Sequence, residues 1–189
     1  MHIFRLVLAF LALFVWAGVA HAHPGHDVSG LVTGFFHPLG GPDHLLAMIA
    51  IGVWAAQLVK RAIYLVPLCF VTLMSLAAAA SAAGMRIPLA EVGIMFSVIT
   101  VCALILGKVK LSLTLAAVMA GSFGFLHGYV HGIEMPENIT GLTYGCGFVL
   151  ATMLLQILGI ALGSWKEMRI PVRMRSGRAA MNRALDRLA

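Results

Sequence analysis

Charged residues are scarce in this chain of 189 amino acids. Asp, Glu, Lys and Arg make up 11% of the sequence, whereas 61% of the residues are hydrophobic. A soluble globular domain usually carries about 25% charged residues. A chain of this length cannot bury so much apolar surface without lipid. The composition therefore excludes an ordinary soluble protein and predicts a membrane protein.

Cysteine is also rare, and its placement excludes a disulfide framework. The three cysteines are scattered through apolar runs without paired spacing. Two motifs of soluble enzymes are absent from the sequence as well. There is no G-x-x-x-x-G-K-[ST], which excludes ATP hydrolysis at a P-loop, and no H-E-x-x-H, the zinc-binding pattern of metalloproteases.

The positive charge of the chain is concentrated near its C-terminus. The formal net charge is +6, and seven Lys and Arg residues lie in segment 165–189. Because so short a tail holds no recognition fold for nucleic acid, we expect no nucleic-acid partner. A basic tail after the last apolar run is typical of cytoplasmic segments that lie near anionic lipid headgroups.

Residues 1–22 have the pattern of an export signal. Arg5 precedes an apolar run over residues 6–20, and Ala20-His21-Ala22 supplies small residues at positions −3 and −1. We expect cleavage before His23, which places the new amino terminus in the periplasm. An uncleaved first span is the alternative.

Apolar runs in the remaining chain predict an all-α bundle of membrane-spanning helices. Four runs have about 20 residues or more, enough to cross a hydrocarbon core of about 30 Å. The first segment, Gly30–Val59, is interrupted by Pro38-Leu39-Gly40-Gly41-Pro42, and we interpret it as one crossing broken at this Pro/Gly motif. Residues 23–164 then form a polytopic helical domain of five crossings. The other four runs are Ile63–Ala83, Ile87–Gly107, Leu111–Ile133 and Ile139–Ser164.

The distribution of Lys and Arg between the runs predicts the orientation. With the amino terminus outside, Lys60, Arg61, Lys108 and Lys110 fall on the inner side with the basic tail. Only Arg86 departs from the positive-inside rule. We therefore expect a bacterial inner-membrane protein whose mature N-terminus is periplasmic and whose C-terminus is cytoplasmic. A homo-oligomer is compatible with the sequence, which does not fix the number of copies.

Six histidines follow residue 22, none of them in the basic tail, and two of them flank the break. His37 and His44 enclose the Pro/Gly motif, with Asp43 beside the second. Non-helical backbone at membrane depth persists only where it is packed in protein or lines a polar cavity, and transporters build ion sites at such breaks. Met48 lies four residues after His44 on the same helical face, so a thioether also reaches this region.

A second cluster lies near the outer end of the fourth crossing. His127 and His131 are spaced i and i+4, so both rings project from one helix face, and Glu134 continues that face. At 1.5 Å per residue, His37 lies about 10 Å inward from the outer start of its segment. His127 lies about 24 Å up from the inner face, at a matching depth. The two clusters are therefore expected to meet.

Four imidazoles and a carboxylate at one depth predict a shared metal-binding site. A single membrane histidine is often satisfied by a neighbouring carbonyl, but ionisable groups in a membrane are costly and usually functional. Nitrogen and oxygen donors with at most one sulfur suit Ni²⁺, Co²⁺, Zn²⁺ or Cu²⁺, and affinity order alone does not choose among them. Asp43 has the alternative role of orienting an imidazole. The expected ligands are His37, Asp43, His44, His127 and His131, with Glu134 and Met48 as second choices.

Two further histidines, His23 and His26, lie at the expected new amino terminus. Together with the α-amine they form a candidate site that collects metal at the outer surface, with an ordinary polar terminus as the alternative. Glu91 and Cys146 lie in the outer parts of their spans. They are weaker candidates for lining the path of an ion, and helix packing is the alternative for both.

The paired motifs resemble those of the HupE/UreJ family of nickel permeases. The resemblance rests on His37-Pro38…Gly41…Asp43-His44…Ala47-Met48 and on His127-Gly128…His131-Gly132…Glu134-Met135-Pro136, and it extends over the whole chain. It implies secondary uptake of Ni²⁺ from periplasm to cytoplasm, supplying hydrogenase or urease. Some members are thought to carry Co²⁺, and no prosthetic group is implied.

Two other functions stay open at this level. A membrane metal sensor would bind the ion without carrying it. An intramembrane metalloenzyme would use the same histidines with an activated water and Glu134 as acid or base. A transporter, rather than an enzyme, is the function that we expect. Loss of metal accumulation in a mutant would indicate transport, whereas loss of a product with intact accumulation would indicate an enzyme.

Overall fold

The structure, a computed structural model, describes residues 30–135 and 140–168. Every regular element in this part of the chain is an α-helix. Segments that lie in lipid take this form because a helix satisfies its backbone hydrogen bonds internally. The helices are α1 (Gly30–Gly40), α2 (Pro42–Gln57), α3 (Ala62–Ala82), α4 (Ala90–Gly107), α5 (Leu113–Glu134) and α6 (Gly141–Met168).

Four helices, α3 to α6, are long and apolar enough to cross a membrane. In the most apolar stretch of each helix, 28% of the residues are buried in α3 and in α4, but 50% are buried in α5. α5 is therefore the most enclosed of the four. Much of the remaining surface is made of large apolar side chains such as Tyr64, Leu68 and Phe96. Such a surface is a liability in water and is expected to face lipid. The chain is therefore a polytopic helical membrane protein, as the composition predicts.

The first apolar segment is broken at the Pro/Gly motif, as predicted, and the break is sharp. α1 and α2 meet at Gly41 with a bend of 85°. The 11 residues of α1 extend about 16 Å, too short to cross alone. Pro38 lies inside α1 without ending it, whereas Pro42 begins α2, where its missing N–H costs nothing. Counted as one span, the bent pair brings the crossings to five.

The bend changes one step in the prediction of depth. The depth of His37 was calculated as if α1 ran straight into the membrane along its normal. Because α1 and α2 are bent by 85°, they cannot both run along the membrane normal. α1 lies across the first turns of α6 instead. A Cβ on Gly34 would collide with the backbone of Tyr144, and one on Gly147 with the backbone of Leu31. His37 therefore reaches the interior from the last turn of a short helix.

Close contacts at glycine give the relative directions of the long helices. Gly124 packs on the backbone of Phe70 and Gly128 on that of Met74, so α3 and α5 run in the same direction. Small residues permit this close approach of two backbones. The contacts between α2 and α6 occur in the same order along both helices, so these two helices also run in the same direction. Both parallel pairs fit an alternating path of five crossings.

The two ends of the bundle differ in their charged groups. Lys60 and Arg61 follow α2, and Lys108 and Lys110 follow α4, so these four basic residues lie at one end. The histidine motifs lie at the opposite end, where α2 begins and α5 ends. Which end faces the cytoplasm stays a prediction from the positive-inside rule.

Several expectations lie outside the described residues. They concern the export signal over residues 1–22, the new amino terminus with His23 and His26, and most of the basic tail over residues 165–189. α6 itself continues to Met168, past the predicted end of the last crossing at Ser164.

Candidate metal centre

Four histidine rings from three helices converge where α2 begins and α5 ends. His37 comes from the last turn of α1, His44 from the first turn of α2, and His127 and His131 from the C-terminal half of α5. The ring centroid of His131 lies 5.0 Å from that of His37 and 4.2 Å from that of His44. The His44 and His127 centroids are 5.9 Å apart. The two sequence motifs therefore meet.

The outer part of the cluster is a compact group of three potential ligand atoms. Glu134 Oε2 lies 3.3 Å from His37 Nε2 and 3.2 Å from His131 Nδ1, and the two nitrogens are 3.2 Å apart. One ion held at about 2.0 to 2.2 Å from each donor fits such spacings. Glu134, a second choice from the sequence, thus belongs to this group together with His37 and His131.

Exposure decreases along the cluster from the rim to the interior. The side chain of Glu134 is 44% exposed, that of His37 28%, that of His44 12% and that of His131 3%. His127 is completely buried. The crevice beside His127 is too narrow to admit water. The potential donors thus extend from an exposed carboxylate at the rim to a completely buried imidazole in the interior.

Three imidazole nitrogens in the interior have no hydrogen-bond partner within the described part of the chain. They are His44 Nδ1, His127 Nε2 and His131 Nε2. Burying a polar atom without a partner is costly, so such atoms are uncommon and require an explanation. A neutral imidazole with its proton on one nitrogen keeps a lone pair on the other, and this is the form that binds metal. The three nitrogens fit an ion-binding cluster better than a purely structural network.

A hydrogen bond fixes the tautomer of His127. The Nδ1–H of this ring donates to the carbonyl oxygen of Phe123 at 2.8 Å. Because a carbonyl oxygen only accepts, the proton of the neutral ring is on Nδ1, and Nε2 carries the lone pair. The ordinary role of a membrane histidine, bonding to a neighbouring carbonyl, thus accounts for one nitrogen and leaves the other available.

Asp43 and Met48, also predicted from the sequence, border the cluster in different ways. Asp43 Oδ2 is 3.8 Å from His44 Nε2, within ion-pair range but too long for a hydrogen bond. Met48 is fully buried, one turn along α2 from His44, and its Sδ accepts a hydrogen bond from Thr152 at 3.3 Å. Neither residue belongs to the compact group of His37, His131 and Glu134.

Aromatic side chains of α6, which the sequence did not point to, enclose the cluster. The ring centroid of Phe148 is 4.3 Å from that of His131 and 5.9 Å from that of His37. The Tyr144 ring lies 5.7 Å from His37. Tyr144 and Phe148 are spaced i and i+4 on one helix face. This spacing is the only signal in the sequence, and ordinary packing residues share it.

Four other candidates from the sequence are not among these contacts. His23 and His26 lie outside the described residues. Glu91, in the first turn of α4, and Cys146, in α6, are both exposed on the surface of the bundle and are not enclosed with the four imidazoles.

The fold and the site together define a class of protein: a polytopic helical membrane protein with an imidazole and carboxylate cluster held between its helices. Within that class, the chain belongs to the HupE/UreJ family. The family model described as HupE / UreJ protein matches residues 11–184. The chain is also 38% identical over 154 residues to Protein HupE of Rhizobium leguminosarum bv. viciae, a match that covers 82% of this chain and 81% of that relative. No solved structure matches the chain at a significant level.

Proposed function

We propose that this protein is a permease that carries a divalent transition-metal ion, Ni²⁺ first among the candidates, across the inner membrane into the cytoplasm. Membership of the HupE/UreJ family supports a metal permease. The observation that carries the proposal is the meeting of His37, His131 and Glu134, whose ligand atoms lie within 4.8 Å of one another. Behind this group, His44 and His127 present buried nitrogens that have no hydrogen-bond partner among the described residues.

The chemistry of the donors favours a transition metal over Mg²⁺ or Ca²⁺. Imidazole nitrogen suits Zn²⁺, Cu²⁺ and Ni²⁺, whereas Mg²⁺ and Ca²⁺ prefer oxygen. Cysteine takes no part in the cluster, since the compact group consists of two imidazoles and a carboxylate. The choice of Ni²⁺, with Co²⁺ as the alternative cargo, comes from the family resemblance and not from the donors. No prosthetic group is required, because the ion is the substrate.

The different charge of the two ends of the bundle supports inward transport. The cluster opens at the end opposite Lys60, Arg61, Lys108 and Lys110. The positive-inside rule assigns those basic residues to the cytoplasm and hence the cluster to the periplasmic side. A membrane potential that is negative inside contributes about 2.3 kcal/mol per elementary charge for each 100 mV. A divalent cation that enters gains twice that amount, so uptake proceeds without ATP.

The parts of the chain outside the described residues have roles in the same proposal. Residues 1–22 are the export signal, residues 23–164 the transport domain, and residues 165–189 a cytoplasmic tail. His23 and His26 would collect metal ions at the outer surface before they reach Glu134.

Uptake of ⁶³Ni²⁺ by vesicles that contain the purified protein tests the proposal. A potassium diffusion potential, negative inside, is applied, and Co²⁺, Zn²⁺ and Mg²⁺ are each added as competitors. We expect saturable uptake above that of empty vesicles, inhibited by Co²⁺ and unaffected by Mg²⁺. Tight Ni²⁺ binding with no uptake would reject transport and favour a sensor.

A further inference from the structure

A second set of polar and sulfur-containing side chains lies beside the histidine cluster, where α2 and α6 continue from it. The hydroxyl of Thr152 on α6 donates to Met48 Sδ on α2 at 3.3 Å, and Met74 Sδ on α3 lies 4.0 Å from the same hydroxyl. One turn further along α6, Gln156 is only 1% exposed. Neither its Nε2 nor its Oε1 has a hydrogen-bond partner among the described residues.

The hydrogen bond of Thr152 differs from those of comparable hydroxyls in this protein. Ser75, Thr100 and Ser122 each donate to the carbonyl four residues earlier in their own helix, the usual arrangement for hydroxyls in membrane helices. Thr152 donates to a thioether of another helix, although sulfur is a weak acceptor. Three helices thus direct polar or polarisable atoms at one point in the interior.

Gln156 adds a second and independent observation. A buried amide can make up to four hydrogen bonds, and leaving all of them unmade is expensive in a low-dielectric surrounding. A leucine of similar size would pack there without that cost. A buried amide without a partner in the described part of the chain is thus a free donor and acceptor in the interior.

We propose that Met48, Met74, Thr152 and Gln156 form an inner ion position, which receives the metal from the histidine cluster on its way to the cytoplasmic side. The inference rests on the proposed function. The position offers two thioether sulfurs and a hydroxyl oxygen, with the amide oxygen of Gln156 one turn further along α6, and all of these donors are neutral. Such donors hold a borderline divalent cation such as Ni²⁺ more weakly than imidazole and carboxylate do. Weak binding is what a step of release requires, since conduction needs sites that an ion can leave.

The position fits the directions of the helices. α2 and α6 both lead from the cluster towards the end that bears Lys60. Met48 follows His44 by one turn on α2, and Thr152 follows Phe148 by one turn on α6. Gln156 comes one turn later and is the next polar side chain on that face of α6. The ion would therefore move from charged, half-exposed donors to neutral, buried ones.

Comparison of equilibrium binding with the rate of uptake tests the inner position. The full chain is purified as wild type, Met48→Leu, Met74→Leu, Thr152→Val and Gln156→Leu, all of which approximately conserve volume. Met153→Leu is the matched control, because Met153 is exposed on the same helix as Thr152. Binding of ⁶³Ni²⁺ is measured in detergent and uptake in vesicles. Retained binding shows that a variant is folded.

We expect the four variants to bind Ni²⁺ within about twofold of wild type but to transport it roughly tenfold more slowly at saturation, the signature of a lost step after binding. Thr152→Ser, which keeps the hydroxyl, should restore most of the rate lost in Thr152→Val. The control should match wild type in both measurements.

Uptake by the four variants at the rate of Met153→Leu would overturn the inner position and leave the proposed function intact. Loss of binding together with uptake would also overturn it, because these side chains would then support the histidine cluster itself. Wild-type vesicles that accumulate no metal would reject the proposed function, and the inner position with it. The wild-type measurement thus separates the two failures.

Discussion

The imidazole of His127 donates its Nδ1–H to the carbonyl oxygen of Phe123, four residues earlier in α5, at 2.8 Å. The bond sets the orientation of a ring that is completely buried. It also leaves Nε2 as the only nitrogen of this ring with a lone pair to offer. Two substitutions separate the hydrogen bond made by Nδ1 from the lone pair offered by Nε2. The side-chain amide of Asn lies near the position of Nδ1, whereas the side-chain amide of Gln lies near the position of Nε2.

His127→Asn should therefore lose at least about tenfold in Ni²⁺ affinity, since even residues that only orient a ligand are worth about 10- to 100-fold. His127→Gln should retain more affinity than His127→Asn, because its amide oxygen can replace Nε2 as a donor. Isothermal titration with Ni²⁺ measures both. Wild-type affinity in His127→Asn would mean that the ring serves packing alone.

The two adjacent glycines at the break offer a matched pair of substitutions. A Cβ on Gly41 would lie 2.7 Å from Cδ2 of His44 and 3.0 Å from Oδ1 of Asp43, so alanine there must displace the imidazole. A Cβ on Gly40 meets nothing within 4 Å among the described residues. Gly41→Ala should lower Ni²⁺ affinity several-fold, and Gly40→Ala should leave it unchanged. Equal effects of the two substitutions would contradict this account of the break.

Packing between α3 and α5 depends on glycine at a defined position. A Cβ on Gly128 would collide with the backbone of Met74, whereas one on Gly145 meets nothing within 4 Å among the described residues. Gly128→Ala should destabilise the protein by about 1–3 kcal/mol or more, the usual cost of overpacking. Gly145→Ala should stay within about 0.5 kcal/mol of wild type. Thermal unfolding in detergent compares the two, and equal melting temperatures would show that the helices separate easily.

Binding should depend on pH through competition between protons and the metal. Histidine ordinarily has a pKa of about 6.5, and a protonated imidazole has no lone pair for a metal. Affinity should therefore be high at neutral pH and fall in acid, where protons compete with the metal for the imidazole nitrogens. Titrations with Ni²⁺ at a series of pH values from neutral to acid measure this dependence. Affinity that is unchanged or higher in acid, with the protein still folded, would contradict imidazole ligands.

The long helices were predictable because lipid leaves the backbone few alternatives. The sequence predicts runs at Ile63–Ala83 and Ile87–Gly107, and the helices span Ala62–Ala82 and Ala90–Gly107. An apolar run must bond its own backbone, so its bounds in the sequence approximate those of the helix. The bend of 85° at Gly41 is different. Proline and glycine indicate that the chain breaks, but the angle is set by packing of α1 on α6.

The candidate site was predictable in its ionisable members and not in its apolar ones. Histidines in a membrane are costly and therefore conspicuous in the sequence. Phe148 encloses His131, and Met74 approaches Thr152, but an apolar sequence has many such residues at helical spacing. Only the contacts between helices in the structure show which of these apolar residues lie beside the site. Thr152 and Gln156 are polar residues of α6 that stand out in its apolar sequence and that the sequence analysis did not select.

In the proposed transport cycle, the motifs on α1 and α5 form one site through which the ion must pass. Uptake of ⁶³Ni²⁺ into vesicles by His37→Ala and His127→Ala, each beside wild type, tests it most directly. Leu39→Ala and Ser122→Ala are the controls, since both residues are exposed on the same two helices. We expect saturable uptake in wild type and controls and its loss in both histidine variants. Wild-type uptake in either histidine variant would contradict it.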